Sequence, residues 1–86
     1  MMEAKHIEQQ LRGYILENLL FTKDQSVLKN ETSLLESGVV DSTGILEVIM
    51  FLENHFGIKV EDEEMIPENL DSINSIVSYV QRKRAA

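Results

Sequence analysis

The chain has no cysteine. Disulfides and thiolate metal sites are therefore excluded, and any thiol chemistry has to come from an added group. Histidine is scarce too: His6 and His55 are the two present, too few for a histidine metal cluster. Basic residues number 8 against 15 acidic ones, a formal net charge of −7. Nucleic-acid binders need a basic face to displace counterions from phosphate, so that class is disfavoured. Partners are expected to be basic, although the same charge also serves plain solubility. No apolar run approaches the roughly 18 residues of a membrane span, and no basic-then-apolar leader opens the sequence. A cytoplasmic location is the expectation. Repeats and low-complexity segments are absent. The 86 residues suit one domain over 1–86, near the lower size limit for a core without staples.

What is present is helical periodicity. Glu3 to Leu20 places Ile7, Leu11, Tyr14, Ile15 and Leu19 on one stripe, which predicts a first helix with that face buried. Phe21 is expected to fold back onto the core. From Thr22 to Ser37 the period is lost among turn formers such as Asp24, Ser26, Asn30, Thr32 and Ser33. That long loop leaves room for a short helical turn, with Val27, Leu28 and Leu34 spaced as anchors. Long loops in small domains are often functional. A second helix is predicted from Ser42 to Phe56, with Ile45, Val48, Ile49, Leu52 and Phe56 as its core stripe and Gly57 as its stop. Ile58 and Val60 are expected to pack inward from an extended segment too short for a sheet. Glu61 to Glu64 lacks the alternating ligands and glycine of a calcium loop and reads as a solvated turn. Pro67 to Leu70 forms one short helical segment, with the proline at its first position. Ser72 caps a last helix with the stripe Ile73, Ile76, Val77 and Val80, and Arg82, Lys83 and Arg84 complement its negative end. The fold class is all-α: a small four-helix bundle, three helices long and one short, with a long loop between the first two.

The loop-to-helix junction carries the chemistry. Asp41 is suited to cap the second helix, which puts Ser42 at its first position, where the helix dipole and free amides favour a phosphate. Gly38 is expected to supply a left-handed or close-packed backbone just before it. Leu46 and Met50 exceed the core stripe, on a flank beside Thr43, Glu47 and Asn54. Either they broaden the buried face or they form a docking patch beside the serine. An enzyme reading would make Ser42 a nucleophile, His6 or His55 its base and Asp41 the orienter. However, no G-x-S-x-G elbow surrounds the serine, and His55 falls roughly 20 Å along the helix from it. Autonomous catalysis is therefore not expected, and both histidines read as surface residues. A helical interaction module without a prosthetic group, in which Ser42 is only part of the cap, is the competing class.

The pattern Leu34-x-x-x-Gly38-x-x-Asp41-Ser42, followed by an apolar helix, resembles the acyl carrier protein family. Its members carry 4′-phosphopantetheine on the serine of an Asp-Ser motif. The resemblance runs from the first helix through the Ile73 to Val80 stripe. It implies Ser42 as the attachment site, modified by a phosphopantetheinyl transferase, and Asp41 as part of the motif that the transferase reads. Thr43, Leu46, Glu47 and Met50 match the face by which such carriers dock on their enzymes. It further implies a monomeric, discrete carrier, not an enzyme, that holds an acyl group as a thioester in fatty acid, polyketide or other specialised biosynthesis. The partners would be an adenylating ligase or acyltransferase that loads it and a downstream acyl-processing enzyme. Carriers of fatty acid synthesis typically read Asp-Ser-Leu-Asp or Asp-Ser-Leu-Glu, whereas this chain reads Asp41-Ser42-Thr43-Gly44. The missing acid points away from housekeeping fatty acid synthesis. A small residue and glycine after Asp-Ser resembles aminoacyl carriers, such as D-alanyl carriers, served by a dedicated ligase. The Gly-Gly-x-Ser pattern of peptidyl carrier domains is not present. Gly44 itself either leaves room for the arm or a partner, or loosens the helix start.

Overall fold

An amphipathic helix with three to four apolar residues per two turns needs a complementary face to cover them, and here the two outer helices cover each other. In the computed structural model, residues 2–85 are described. They form α1 (Met2–Asn18), α2 (Ser42–Phe56), α3 (Pro67–Leu70) and α4 (Ile73–Ala85), with 3-10 turns at Gln25–Val27 and Asp62–Glu64. No strand occurs among the described residues, and no helix among them is long and apolar enough to cross a membrane. The chain is thus an all-helical bundle of three long helices and one short one. Ile7, Leu11, Ile15 and Leu16 of α1 are buried with Ile73, Ile76, Tyr79 and Val80 of α4 and Val48, Ile49 and Leu52 of α2. Each such aliphatic side chain contributes about 1.5–3 kcal/mol when fully buried. Leu16 and Tyr79 join this core from outside the stripes read in the sequence. Val60 is buried and Ile58 half-buried in the connector after α2.

The helix ends follow local chemistry. α2 stops at Gly57, whose φ of 68° is left-handed and whose N–H donates to the Glu53 carbonyl at 3.1 Å, a geometry that glycine adopts without a Cβ penalty. α1 stops in the same way with a different residue. The Thr22 N–H reaches back to the Leu16 carbonyl at 2.9 Å, and Phe21 takes the left-handed position at φ 53°. Its ring is 81% exposed, so the expected folding of Phe21 onto the core does not occur. The turn that closes α1 points this side chain outward. α4 is capped by Ser72, whose Oγ accepts from the Ser75 N–H at 3.1 Å.

The long loop is pinned by polar as well as apolar contacts. Leu28 and Leu34 are buried anchors, but Val27 is half exposed. Asp24 caps the 3-10 turn by accepting from the Ser26 N–H at 3.0 Å and its hydroxyl at 2.6 Å, and the turn faces Val27 outward and Leu28 inward. Arg12 of α1 holds this stretch. Its guanidinium donates to the carbonyls of Leu28 (2.6 Å) and Gln25 (2.8 Å), to Asn30 Oδ1 (2.7 Å) and to Gln25 Oε1 (3.0 Å). Asn30 in turn donates to Glu8 at 2.7 Å, and its carbonyl accepts from the Asn74 N–H of α4 at 3.0 Å.

The acidic run is more than a solvated turn. Asp62 and Glu63 are exposed, but Glu64 is half-buried. Its Oε1 accepts from the Glu61 N–H at 3.0 Å, the Tyr79 hydroxyl at 2.9 Å and Lys83 Nζ at 2.9 Å. The Glu61 amide above all, then Lys83 and Tyr79, lower the carboxyl from its ordinary 4.5 to about 2. Burial, then Glu64, push the Tyr79 hydroxyl up. Lys83 therefore serves this clamp, while Arg82 donates to Asn69 at 2.9 Å and Arg84 pairs with Glu3 at 3.3 Å. The clamp predicts a pH signature. A carboxyl depressed in the folded state stabilises fully above its unfolded pKa, and that contribution is lost as pH falls through the folded value. The gap in urea stability between wild type and Glu64→Gln is expected to be widest above pH 4.5 and to close toward pH 2. A gap independent of pH would mean that the charge of Glu64 contributes nothing.

Candidate functional site

The segment that leads into α2 is folded by its own backbone before the helix begins. Leu34 is buried, and its carbonyl accepts from the Val40 N–H at 3.1 Å, closing a compact loop over residues 34–40. Gly38 supplies the reversal with φ 79°, a left-handed position suited to a residue without Cβ. Val40 is buried beneath the loop end. Asp41 then takes an extended conformation (φ −98°, ψ −174°), and its Oδ1 accepts from the Gly44 N–H at 2.7 Å while its carbonyl accepts from the Ile45 N–H at 2.9 Å. This is an N-cap formed by side chain and backbone together.

Ser42 is accordingly the first residue of α2, and it is exposed. The first amides of a helix lack partners within it. Asp41 occupies that of Gly44, so those of Ser42 and Thr43 are the donors beside the hydroxyl. Gly44 is buried, and a Cβ placed there would lie 3.1 Å from Val40 Cγ1 and 3.2 Å from Asp41 Oδ1. The space that glycine opens is thus filled by the chain's own Val40 and by the capping carboxylate, and it offers no room to an arm or a partner. Its role is to let the cap close over a buried valine.

The other residues singled out in the sequence lie along one side of α2. Thr43 and Glu47 are exposed, Leu46 is 55% exposed and Met50 60% exposed. The apolar excess of α2 is therefore on the surface and does not broaden the buried face. Leu46 borders an apolar groove of about 260 Å³, together with Ile45 and Ile49 of α2, Leu35 of the loop, and Ile66 and Leu70 at α3. Glu47 and Met50 border a separate, open hollow against α1. Tyr14, Phe51 and His55 stack there, with ring centroids 4.3 and 4.9 Å apart. His55 is exposed on the last turn of α2, and His6 is exposed on α1. The carboxylate of Asp41 is committed to the Gly44 amide, not to either imidazole.

Two residues of this region carried no signal in the sequence. Leu35 forms a rim of the groove, and Asp71 holds the loop from the other side: its carbonyl accepts from the Leu34 N–H at 2.7 Å, and its carboxylate from the Leu35 N–H at 3.0 Å and from the Ser33 hydroxyl. These pairings link positions nearly forty residues apart, which no local period or spacing announces.

A small helical bundle that exposes a serine on the first turn of a helix, behind a capping aspartate, is the architecture of a carrier domain. Residues 9–80 match the family described as "Phosphopantetheine attachment site", and the chain belongs to this family of carrier proteins, whose domain is the attachment site for 4′-phosphopantetheine. It is 42% identical over 67 residues to the D-alanyl carrier protein of Streptococcus uberis, covering 78% of this chain and 84% of that one. It is also 37% identical over 67 residues to the D-alanyl carrier protein of Streptococcus mutans, with the same coverage. It is 32% identical over 60 residues to the acyl carrier protein of Thermotoga maritima, covering 70% of this chain and 72% of that one. Among solved structures, a chain in the crystal structure of an FAD-dependent dehydrogenase superposes with a TM-score of 0.71 at 23% identity. The match covers 81% of this chain and 97% of that chain, and it shows a shared fold.

The cap geometry separates two neighbours experimentally. Asp41→Ala is expected to cost about 1 kcal/mol of stability through loss of the cap, whereas Ser42→Ala is expected to cost only a few tenths. Urea unfolding of both variants checks this, and a larger loss for Ser42→Ala would move the cap to the serine.

Proposed function

We propose that this is a discrete, monomeric, cytoplasmic carrier protein of one domain that bears 4′-phosphopantetheine on Ser42 and presents an acyl group to partner enzymes. The observation that carries the reading is the exposed Ser42 at the first position of α2 behind the Asp41 cap. The site suits the group: the hydroxyl is accessible, and the amides of Ser42 and Thr43 with the positive end of the helix dipole favour a phosphodiester there. On a phosphopantetheinyl transferase, Ser42 Oγ forms a bond to the β-phosphorus of coenzyme A. The pyrophosphate P–O bond breaks, 3′,5′-ADP leaves, and the serine proton passes to a base of the transferase. Once attached, the group supplies the thiol that the cysteine-free chain lacks, and that thiol holds a carboxylic acid as a thioester. The chain itself contributes presentation and a high effective concentration, not catalysis.

Thr43, Leu46, Glu47 and Met50 are assigned to docking. Two exposed apolar side chains flanked by a carboxylate suit a partner face with an apolar centre and basic rim. The apolar groove begins one turn beyond Ser42, at Ile45 and Leu46, which supports an acyl cargo. The pathway class is specialised lipid or secondary-metabolite synthesis, loaded by an adenylating ligase or an acyltransferase. A second reading, an aminoacyl carrier served by a dedicated ligase, is supported by the higher identity to the two D-alanyl carrier proteins.

Intact-protein mass spectrometry after incubation with coenzyme A and a broad-specificity transferase is the test. Wild type is expected to gain the mass of one phosphopantetheine and Ser42→Ala none. No gain on folded wild type, with a transferase shown to modify another carrier, would favour an interaction module without a prosthetic group. Ligase assays with fatty acids against D-alanine then separate the two cargoes. For docking, Leu46→Glu or Met50→Glu is expected to slow modification or loading while the helical circular dichroism is unchanged. Wild-type rates for both would remove the patch.

A further inference from the structure

Asp71, between α3 and α4, holds three successive residues of the loop that leads to Ser42. Its carbonyl takes the Leu34 N–H at 2.7 Å, one carboxylate oxygen takes the Leu35 N–H at 3.0 Å, and the other takes the Ser33 hydroxyl. Ser33 Oγ also accepts from the Glu36 N–H at 3.0 Å, so the carboxylate fixes the backbone on both sides of Leu35. Leu35 is one rim of the apolar groove. Ile66, Pro67 and Leu70 form the facing rim, and Asp71 itself lies in the wall. The bonds to Asp71 therefore run from one rim to the other.

The loop has other fastenings, and they lie elsewhere. Arg12 holds Gln25, Leu28 and Asn30, and the Asn74 N–H holds the Asn30 carbonyl. None of these residues borders the groove. The first half of the loop is thus held without Asp71, and the Asp71 carboxylate acts on the half that carries the Leu35 rim, where its distinctive consequence is the spacing of the two rims. We propose that Asp71 is a positioning residue that ties the rims together and so sets the length of acyl chain the groove admits. The inference rests on the reading that Ser42 carries the arm.

The groove of about 260 Å³ gives the scale. An apolar cavity of about 150 Å³ accepts benzene, with six carbons, so this groove takes roughly ten. A longer chain that stays within the groove, instead of running out along its open side, parts Leu35 from Ile66 and Leu70 and so carries Leu35 away from the Asp71 carboxylate. Hydrogen bonds to a charged acceptor are among the stronger ones in a protein, which makes the tie a ceiling on chain length and not a passive fastening.

The test loads wild type, Asp71→Ala and Ser33→Ala with acyl-phosphopantetheine from acyl-coenzyme A donors of two, six, ten and fourteen carbons. Loading is checked by intact mass, and the melting temperature of each form is compared with that of its own two-carbon form. In wild type the melting temperature is expected to rise up to about ten carbons and to fall at fourteen. In Asp71→Ala the maximum moves to fourteen carbons, and in Ser33→Ala, which keeps the Leu35 bond to Asp71, the fall from ten to fourteen carbons becomes smaller than in wild type. In wild type the Leu35 amide is expected to exchange faster with the fourteen-carbon chain bound than with the six-carbon chain. A residue with only a structural role would lower every melting temperature by the same amount and leave the maximum in place. That result overturns the proposal, as does a wild-type profile without any dependence on chain length. Ser33→Ala removes the bond to the Asp71 carboxylate and the one from the Glu36 N–H but keeps those of Leu34 and Leu35 to Asp71, and it decides the matter alone if Asp71→Ala does not fold. Absence of any mass gain on wild type would instead overturn the attachment to Ser42, an outcome distinct from an unchanged profile on fully loaded protein.

Discussion

The Arg12 guanidinium is the contact on which the position of the α1–α2 connection depends. From residue 19 to residue 41 the chain contains only one 3-10 turn, and a connection with so little regular structure needs partners from outside it for part of its backbone. Arg12 meets the carbonyls of Gln25 and Leu28 and the Asn30 side chain with one rigid planar group. A lysine could not reproduce this, since it concentrates its donors at one point. With the first half of the connection fixed, Leu28 and Leu34 bury as anchors. The second half then starts from a defined place, and Asp71 fixes it. Ser42 inherits its position through both, so a surface serine is located by side chains that never touch it.

The helices and the serine junction were legible in the sequence because their determinants are local. Asp41, Gly57, Pro67 and Ser72 are cap and terminus residues whose preferences act within one turn. The bounds of α2 and α3 agree with the structure on that account. The ties that hold the loops were not legible, because they join residues far apart: Arg12 to Asn30, Glu64 to Lys83, Ser33 to Asp71. Glu64 shows the difference most plainly. Read among its neighbours it is one of four acids in a run, and only the fold brings Tyr79 and Lys83 to it. Phe21 failed for a different reason. Hydrophobicity predicts burial, but a left-handed position is set by the hydrogen bonds that end α1, and these face the ring to solvent. Gly44 was singled out as unusual, yet its purpose depends on Val40 being buried beneath it.

Several features of the structure run against simple stability. A bulky residue in the left-handed region costs roughly 1–2 kcal/mol, and Phe21 offsets none of this by burial. Leu46 and Met50 are exposed beside an exposed Glu47, although α2 already has a sufficient core face in Val48, Ile49 and Leu52. Apolar side chains placed singly on a surface need no explanation. Two on one flank, next to a helix start organised by a cap, fit the docking role proposed for them above. Such a surface has to be apolar enough to bind and small enough to release.

α3 forms one wall of the groove. Four residues are far too few for an independently stable helix, so α3 holds its place through Leu70 in the core, through its packing on α4, and through the ties at its two ends. At the leading end, Glu64 accepts from Tyr79 and Lys83 of α4 and gives its own carbonyl to the Asn69 side chain. At the trailing end, Asp71 reaches the loop. The wall of the groove is therefore a short segment suspended between two polar fastenings on a rigid α4. Regions with few buried contacts and exposed hydrogen bonds open at lower free energy than the core. The α1–α4 pairing does not involve this wall, so the stability of the fold and the dimensions of the groove rest on different contacts.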